Sequence, residues 1–323
     1  MNRRSAIQTL VTASAGSLFG SRLLAGVIQD DSGANIIRSE SRLVLLDVSV
    51  KDARGNGEGH FVGGLAKENF KVFENGRPQP IAVFERSDLP VTIGVLVDES
   101  RSMANKRSAV LTAAMTFTAE SNPMDEIFVL NFNDEVRPGL PSTVLFSDDM
   151  QELRKALFRG VSEGRTALND AVVAGLAQLK LGTRDKKTLV LISDGGDNAS
   201  AHTRRQTLDK VESSIATIYT VGLYDADDPD ADPGLLRQLA EISGGEAYFP
   251  PSPAEMIPTC HRIAKDIRAR YTVGYVPAAG QGAHDIRARD IRKIHVVASA
   301  PGHGKLITRT RSSYRYDQVD SNK

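Results

Sequence analysis

From Leu89 to Pro250 the chain alternates short apolar runs with stretches of helical spacing, and this alternation constrains the fold more than any other feature. The run TIGVLVD is almost wholly apolar, as expected of a strand buried on both faces, and KRSAVLTAAMTFTAES follows it with helical spacing. Further strands are predicted at EIFVLNFND, KTLVLISD, TIYTVGLY and EAYFP, with helices near 148–158, 167–181, 204–215 and 235–242. The pattern predicts an α/β fold with a doubly wound, mainly parallel sheet and helices on both faces. Because ligands bind at the carboxyl ends of the strands in such sheets, functional residues are sought there.

Strand-like segments stand on both sides of this α/β region. RLVLLDVSV alternates apolar residues at period two, and the step Asn75-Gly76 between two apolar runs is a strong hairpin signal. After a helix predicted over 254–268, the segments YTVGYVP, RKIHVVAS and KLITRTRSSYRY again have strand character. We predict that the N- and C-terminal segments pair in a small flanking β domain, with the α/β domain inserted between them. The predicted division is a leader over 1–28, an N-terminal β segment over 36–89, the α/β domain over 90–252, a C-terminal helix and β segment over 253–316, and a tail over 317–323.

The first α/β strand ends in DESRS, which places Asp98, Ser100 and Ser102 at alternate positions just before a helix. A tight strand-to-helix turn of this spacing can direct one carboxylate and two hydroxyls toward a common point. These hard oxygen ligands suit Mg²⁺, Mn²⁺ or Ca²⁺ rather than zinc. The alternative is that Asp98 or Ser100 caps the following helix, which is the ordinary role of such residues at a helix start.

Two further residues occupy comparable positions. Thr166, in GRTALNDAV, comes just before a predicted helix, and Asp194, in LVLISDGGDN, directly follows a buried strand. With these residues present, the stretch from about Pro90 to Pro250 resembles the von Willebrand factor type A domain. The metal-ion-dependent adhesion site of that family combines DxSxS with a threonine of a second loop and an aspartate of a third. The flanking stretches LAKENFKVFENGRPQPI, YTVGYVP and RSSYRY are similar to a bacterial subgroup in which β segments frame the A domain.

The resemblance implies a role for each residue. Ser100 and Ser102 would bind the metal directly, and Thr166 directly or through water. Asp98 and Asp194 would act mostly through bound waters. With few direct charges the ion stays electrophilic, so its open position would attract an Asp or Glu carboxylate of a protein partner.

Other residues near these loops are less specific. The position between the two serines is often glycine in the family, whereas here it is Arg101, which could hinder or steer an acidic ligand. Asp197 and Asn198 are expected to shape their loop, with direct metal contact by Asp197 as the alternative. The run DADDPDAD over 225–232 lacks the central glycine of a calcium loop and contains Pro229, which favours a solvated loop.

The N-terminus has the features of an export signal. Arg3 and Arg4 precede a mildly apolar run over 6–20, which is too short and too rich in Ser, Thr and Gly to span a bilayer stably. The segment resembles a twin-arginine leader. We therefore expect an exported protein, periplasmic or extracellular, with no stable membrane span once the leader is removed. A cytoplasmic terminus is the alternative.

The net charge and its distribution along the chain restrict the kinds of partner that the protein could bind. The 323 residues contain 40 Lys and Arg against 40 Asp and Glu, so nothing attracts nucleic acid generally. Residues 91–255 hold 25 acidic and 16 basic residues, whereas 261–315 hold 12 basic and 3 acidic ones. We predict that these two surfaces of opposite sign face each other; a polyanion-binding tail is the alternative. The single cysteine, Cys260, excludes an internal disulfide and is expected to be a buried apolar residue.

Enzyme motifs do not occur. The sequence has no HExxH, no GxSxG and no phosphate loop, and its six histidines are scattered. The prediction is an exported, non-enzymatic protein that binds Mg²⁺ (or Mn²⁺ or Ca²⁺) and, through it, an acidic group of a protein partner. A structural or assembly subunit whose metal site only stabilises the fold is the alternative, and a metal-assisted hydrolase is a more remote one.

Overall fold

The computed structural model describes residues 43–54, 60–86, 88–224, 229–277 and 290–316. The strands are β1 (Val44–Asp52), β2 (Phe70–Glu74), β3 (Arg77–Gln79), β4 (Ile81–Glu85), β5 (Val91–Asp98), β6 (Glu126–Phe132), β7 (Val136–Pro138), β8 (Lys186–Ser193), β9 (Thr217–Gly222), β10 (Ala247–Tyr248), β11 (Tyr271–Tyr275), β12 (Asp290–Ala298), β13 (Leu306–Arg309) and β14 (Ser313–Tyr316). The helices are α1 (Arg107–Ala119), α2 (Met150–Phe158), α3 (Leu168–Leu179), α4 (Arg204–Glu212), α5 (Pro233–Ser243) and α6 (Met256–Ala269). The predicted leader and the predicted tail lie outside the described residues.

The central sheet has six strands in the order β10-β9-β8-β5-β6-β7. All of its pairings are parallel except that of β7 with β6. Helices α2, α1 and α6 pack side by side, as do α3, α4 and α5, so the sheet is covered by helices. The predicted doubly wound, mainly parallel fold is confirmed. Strand β7 was not predicted, because its three residues are mostly exposed and have no apolar pattern.

Burial explains why β5 lies at the centre of this sheet. All eight of its residues are buried, since β8 and β6 flank it and helices cover its faces. Full burial of a Val or Leu side chain stabilises the folded state by roughly 1.5–3 kcal/mol relative to leaving it exposed. The central position matters for function because the strand ends at Asp98.

Two four-stranded sheets flank the α/β region, in the orders β13-β1-β11-β4 and β14-β12-β2-β3. Each contains strands from both ends of the chain, which confirms the predicted pairing of the N- and C-terminal segments. The two sheets share one apolar core, to which Leu46, Val72, Val273 and Val296 belong. The domain boundaries given above stay predictions.

The predicted hairpin joins β2 to β3. Asn75 and Gly76 both have positive φ, 49° and 77°, which is the backbone that a tight two-residue hairpin turn requires.

The segment KLITRTRSSYRY differs from the prediction of one strand. It forms two short strands, β13 beside β1 and β14 beside β12, in different sheets. The chain crosses between the sheets at residues 310–312. There the Ile294 amide donates to the Ser312 carbonyl at 2.8 Å, and the Arg311 guanidinium donates to the Glu212 carbonyl at 2.8 Å. These bonds bend the chain where a single strand would have continued.

Ion pairs join the basic C-terminal segment to the acidic α/β region. Arg315 lies 2.8 Å from Asp209, and Arg309 lies 3.1 Å from Glu246. These pairs support the prediction that the two regions of opposite charge face each other. Cys260 is fully buried within α6, as predicted.

Candidate metal centre

The candidate site lies at the carboxyl edge of the central sheet, where β5 and β8 end side by side. Val97 pairs with Ile192, so Asp98 and Ser193, the next residues, are neighbours. The Ser193 hydroxyl donates to Asp98 Oδ2 at 2.5 Å. Beyond β5 the chain enters a 3-10 turn over Arg101–Lys106. Beyond β8 it turns at Gly195, whose φ of 90° favours glycine.

Four of the five predicted ligands form one hydrogen-bonded group. The Ser100 and Ser102 hydroxyl oxygens lie 3.1 Å apart, and the Ser102 hydroxyl donates to Asp194 Oδ2. Asp98 Oδ1 accepts the Ser100 amide at 2.8 Å. The structure thus brings together oxygens from loops almost a hundred residues apart in sequence.

Thr166 lies on the adjoining loop and is buried. Its amide donates to Asn198 Oδ1 at 2.9 Å, and its carbonyl accepts the Asn198 amide at 3.0 Å. Among the described residues its hydroxyl makes no hydrogen bond with the other four candidates. The threonine loop is therefore tied to the Asp194 loop through Asn198, as expected of a residue that shapes this loop.

The capping alternative is met only in part. Ser100 stands at the N-cap position of the 3-10 turn, but its hydroxyl makes no capping bond. Asp98 does accept a local amide hydrogen bond, from Ser100. Because the Ser100 hydroxyl instead lies beside Ser102, helix capping does not account for the arrangement.

The two carboxylates of this group have no counter-charge among the described residues. Asp98 and Asp194 are only 3% and 2% exposed, and no described Lys or Arg lies within ion-pair distance of either. Burial, followed by the nearby Asp194 charge, raises the pKa of Asp98 to about 7. Two buried carboxylates that face each other without a cation are costly, and a bound cation would offset that cost.

The proposed metal ligands include only two charged groups. The described residues contain no group of three or more His, Cys, Asp and Glu side chains suited to a metal. An ion at this position would depend on hydroxyl oxygens and two carboxylates. Such a set fits a hard cation such as Mg²⁺ and does not fit zinc.

Asp197 has other partners. It accepts hydrogen bonds from the Asn169 side chain and, at 2.5 Å, from the Ser200 hydroxyl. These bonds fasten the loop after β8 to the first turn of α3, which agrees with the predicted role in shaping the loop.

The described end of the acidic run also has a structural role. Asp232 caps α5 by accepting the Leu235 amide at 2.8 Å, and it pairs with Arg204 at 2.7 Å. The stretch 225–228 lies outside the described residues.

Two contributors were missed at the sequence level. Ser193 could be recognised only by aligning β5 with β8 in register. The second is Glu99, which is buried, lies against Gly160, and is 3.5 Å from Arg107. Arg107 also donates to the Gly160 carbonyl at 2.5 Å, so this pair braces the loop that leads to Thr166. A charged residue within DESRS carries no signal that it faces inward.

The comparisons with known proteins bear on the family. The family model of the von Willebrand factor type A domain matches residues 92–259. This match spans more than half of the chain, and the chain belongs to the von Willebrand factor type A domain family. Domains of this family mediate protein–protein interactions, which makes a role in protein interaction the broad class of function.

The chain is also similar to several solved structures, and the first of those named here supports the fold. The chain is similar to a von Willebrand factor type A protein from Catenulispora acidiphila, with 13% identity, a TM-score of 0.51, and 86% of this chain and 75% of that chain covered. The vWF domain of the type V pili tip protein Mfa5 from Porphyromonas gingivalis gives 13% identity and a TM-score of 0.46, with 56% and 95% covered. The PilB minor pilin from Streptococcus sanguinis gives 12% and 0.45, with 60% and 64% covered. No curated protein matches this sequence.

Within the described ranges, no helix combines the length and the apolar character needed to cross a membrane. The Arg3-Arg4 segment, on which the export prediction depends, lies outside these ranges.

Proposed function

We propose that this chain binds a divalent cation, Mg²⁺ or else Mn²⁺ or Ca²⁺, at Asp98, Ser100, Ser102, Thr166 and Asp194, and holds a partner's carboxylate through it. The observation that carries this proposal is the pair of buried carboxylates, Asp98 and Asp194, with no described cation beside them. Family membership adds support, because this residue pattern is the family's adhesion site. A bound ion would supply one open coordination position for an acidic side chain.

Each residue would have a separate task. The hydroxyls of Ser100 and Ser102 are close enough, at 3.1 Å, to share one ion as direct ligands. Asp98 and Asp194 would contribute charge, mostly through water. Ser193 and the Gly196 amide, which donates to Asp194 Oδ1 at 3.0 Å, would keep the two carboxylates oriented.

We propose binding and not catalysis as the role of this site. No described histidine or lysine lies within hydrogen-bond distance of Ser100 or Ser102, so neither serine has the base that nucleophilic catalysis would require. Export to the periplasm or the cell exterior completes the proposal and rests on the arginine pair near the N-terminus.

A structural role for the ion is the second candidate, and the same two buried carboxylates favour it. An ion that only stabilised the fold would raise the melting temperature without creating a site for carboxylates. Titrating the Mg²⁺-loaded protein with a capped aspartate peptide separates the two, because only the adhesion role predicts binding that is lost with chelator.

The test of the metal site is calorimetric titration of the wild type, Asp98→Ala and Asp194→Ala with Mg²⁺ and Mn²⁺. Each variant is expected to lose about a hundredfold or more in affinity, because the few carboxylates must offset the dehydration of the ion. Asp148→Ala, which removes an exposed acid far from these loops, is the matched control and should bind as the wild type does. Wild-type protein that neither binds metal nor melts at a higher temperature with metal would rule the site out.

A further inference from the structure

Arg101 is the feature of the site that the fold does not use. It stands between the two serines and is exposed, and its side chain makes no hydrogen bond or ion pair with any described residue. Its backbone amide donates to the Gly164 carbonyl at 3.3 Å, and any residue except proline could make that bond. The side chain therefore adds nothing visible to the stability of the loop.

The neighbouring arginines are engaged. Arg107 is bound to Glu99 and Gly160, and Arg165 lies 3.0 Å from Asp134. Arg101 is thus a free guanidinium on the loop that carries two of the proposed ligands. A guanidinium presents a planar fork of donors that suits the two oxygens of a carboxylate.

The charges around the ion favour an anionic occupant. The two carboxylates, Asp98 and Asp194, would neutralise a divalent ion, and Arg101 then adds one positive charge at the surface. A partner with one carboxylate would engage the ion and leave Arg101 unpaired. A partner with two would satisfy both.

We infer that Arg101 receives a second carboxylate, so that the protein segment recognised here carries two acidic side chains close together in sequence. This inference rests on the proposed function, since the first carboxylate is the one held through the ion. Arg101 is a specificity residue in this scheme: it selects a doubly acidic segment over a singly acidic one, and metal binding does not depend on it.

The probes for the test are capped, glycine-flanked peptides that contain either one aspartate or two aspartates separated by zero, one or two glycines. Each is titrated in Mg²⁺ and in chelator against the wild type, Arg101→Gln and Arg101→Glu. Arg205→Gln is the matched control, because Arg205 is an exposed arginine on α4 with no ion pair among the described residues. Mg²⁺ titration of every variant gives an independent readout.

The wild type should bind the best two-aspartate peptide about fivefold more tightly than the single-aspartate peptide, as an exposed charge-assisted pair predicts. Arg101→Gln should remove this preference while keeping both Mg²⁺ affinity and single-aspartate binding. Arg101→Glu should reverse the preference, and Arg205→Gln should behave as the wild type.

The inference is overturned if the wild type shows no preference, if Arg101→Gln retains it, or if the preference survives in chelator. The absence of Mg²⁺-dependent binding for every peptide would instead defeat the proposed adhesion role, and with it this inference. The two failures are distinguishable because only the second removes binding of the single-aspartate peptide.

Discussion

Two polar clusters of the molecule have buried acidic side chains but differ in how that charge is balanced. The metal-site cluster, at the carboxyl edge of the sheet, comprises Asp98, Ser100, Ser102 and Asp194. The Arg270 cluster, between the central sheet and the flanking β sheets, comprises Ser49, Tyr219, Asp266 and Arg270. Its charged side chains are as deeply buried as Asp98 and Asp194, with Asp266 0% and Arg270 1% exposed.

The Arg270 cluster is complete within the chain. Asp266 accepts hydrogen bonds from Ser49 at 2.6 Å and Tyr219 at 2.7 Å, and it lies 3.3 Å from the Arg270 guanidinium. Arg270 also donates to the Gly244 carbonyl at 2.8 Å. Each buried charge has a partner of opposite sign, as expected of a cluster that joins structural parts.

The metal-site cluster is not complete in this sense. Its two acids are close enough for the Asp194 charge to raise the pKa of Asp98, and the hydroxyls of Ser100 and Ser102 cannot neutralise them. The contrast indicates that burial of charge by itself does not mark a functional site; burial of charge that the chain leaves unbalanced does.

The largest effect is expected from breaking the balanced cluster. Asp266→Ala should lower the free energy of unfolding by about 3–5 kcal/mol, because it leaves the buried Arg270 guanidinium with the more distant Asp47 carboxylate, at 3.9 Å, as its remaining counter-charge. Urea unfolding followed by circular dichroism measures this loss. Tyr219→Phe, which removes no charge but loses two hydrogen bonds, one to Asp266 and one from the Arg270 guanidinium, should cost about 1–3 kcal/mol.

Exposed Asp148→Ala is again a suitable control and should change the free energy of unfolding by less than about 0.5 kcal/mol. If Asp266→Ala changed the free energy of unfolding as little as Asp148→Ala does, the Arg270 cluster would contribute little to stability. The claim that the two clusters differ in structural role would then be wrong.

The sequence predicted the metal-site cluster but not the Arg270 cluster, and the reason is physical. Asp98 ends one apolar strand and Asp194 directly follows another, and the strand ends of a parallel sheet lie at one edge, so their meeting could be foreseen. Asp266 and Arg270 lie at the end of a helix with many charged residues, where periodicity does not separate a buried charge from a solvated one.

Which strands pair, and in which register, was equally hard to predict from the sequence. The α/β order and the strands flanking it follow from apolar periodicity, which local sequence contains. The contact of Ser193 with Asp98 and the division of the last strand between two sheets depend on register and on chain crossings, which are set by distant residues.

A smaller effect is expected at the loop between α2 and Thr166. A methyl group on Gly160 would overlap the buried Glu99 carboxylate, so Gly160→Ala should displace the loop. We expect the free energy of unfolding to fall by about 1–3 kcal/mol, as for other overpacked positions, and Mg²⁺ affinity to fall about tenfold. Calorimetry and thermal melts measure the two.

The control for this change is the background Glu99→Ala, which makes room for the methyl group. Gly160→Ala should cost less in that background than in the wild type, and the difference is the coupling between the two positions. Equal costs in both backgrounds would contradict the proposed overlap.

The smallest expected effect is at Asp194, and its sign tests the comparison of the two clusters most directly. In chelator at about pH 8, above the raised pKa of Asp98, Asp194→Asn should increase the free energy of unfolding by about 1 kcal/mol, because it removes one of two like charges. The amide keeps the existing bonds: its oxygen can accept from Gly196 and its nitrogen can donate to the Ser102 hydroxyl, which rotates to accept. Asp197→Asn is the matched control, since Asp197 accepts hydrogen bonds from Asn169 and Ser200 and its described partners include no acid, and it should bring no gain. Added Mg²⁺ should reverse the order, stabilising the wild type and leaving Asp194→Asn unchanged. A loss of stability for Asp194→Asn in chelator would mean that the two carboxylates do not repel each other, and the main physical support for a cation at this site would be removed.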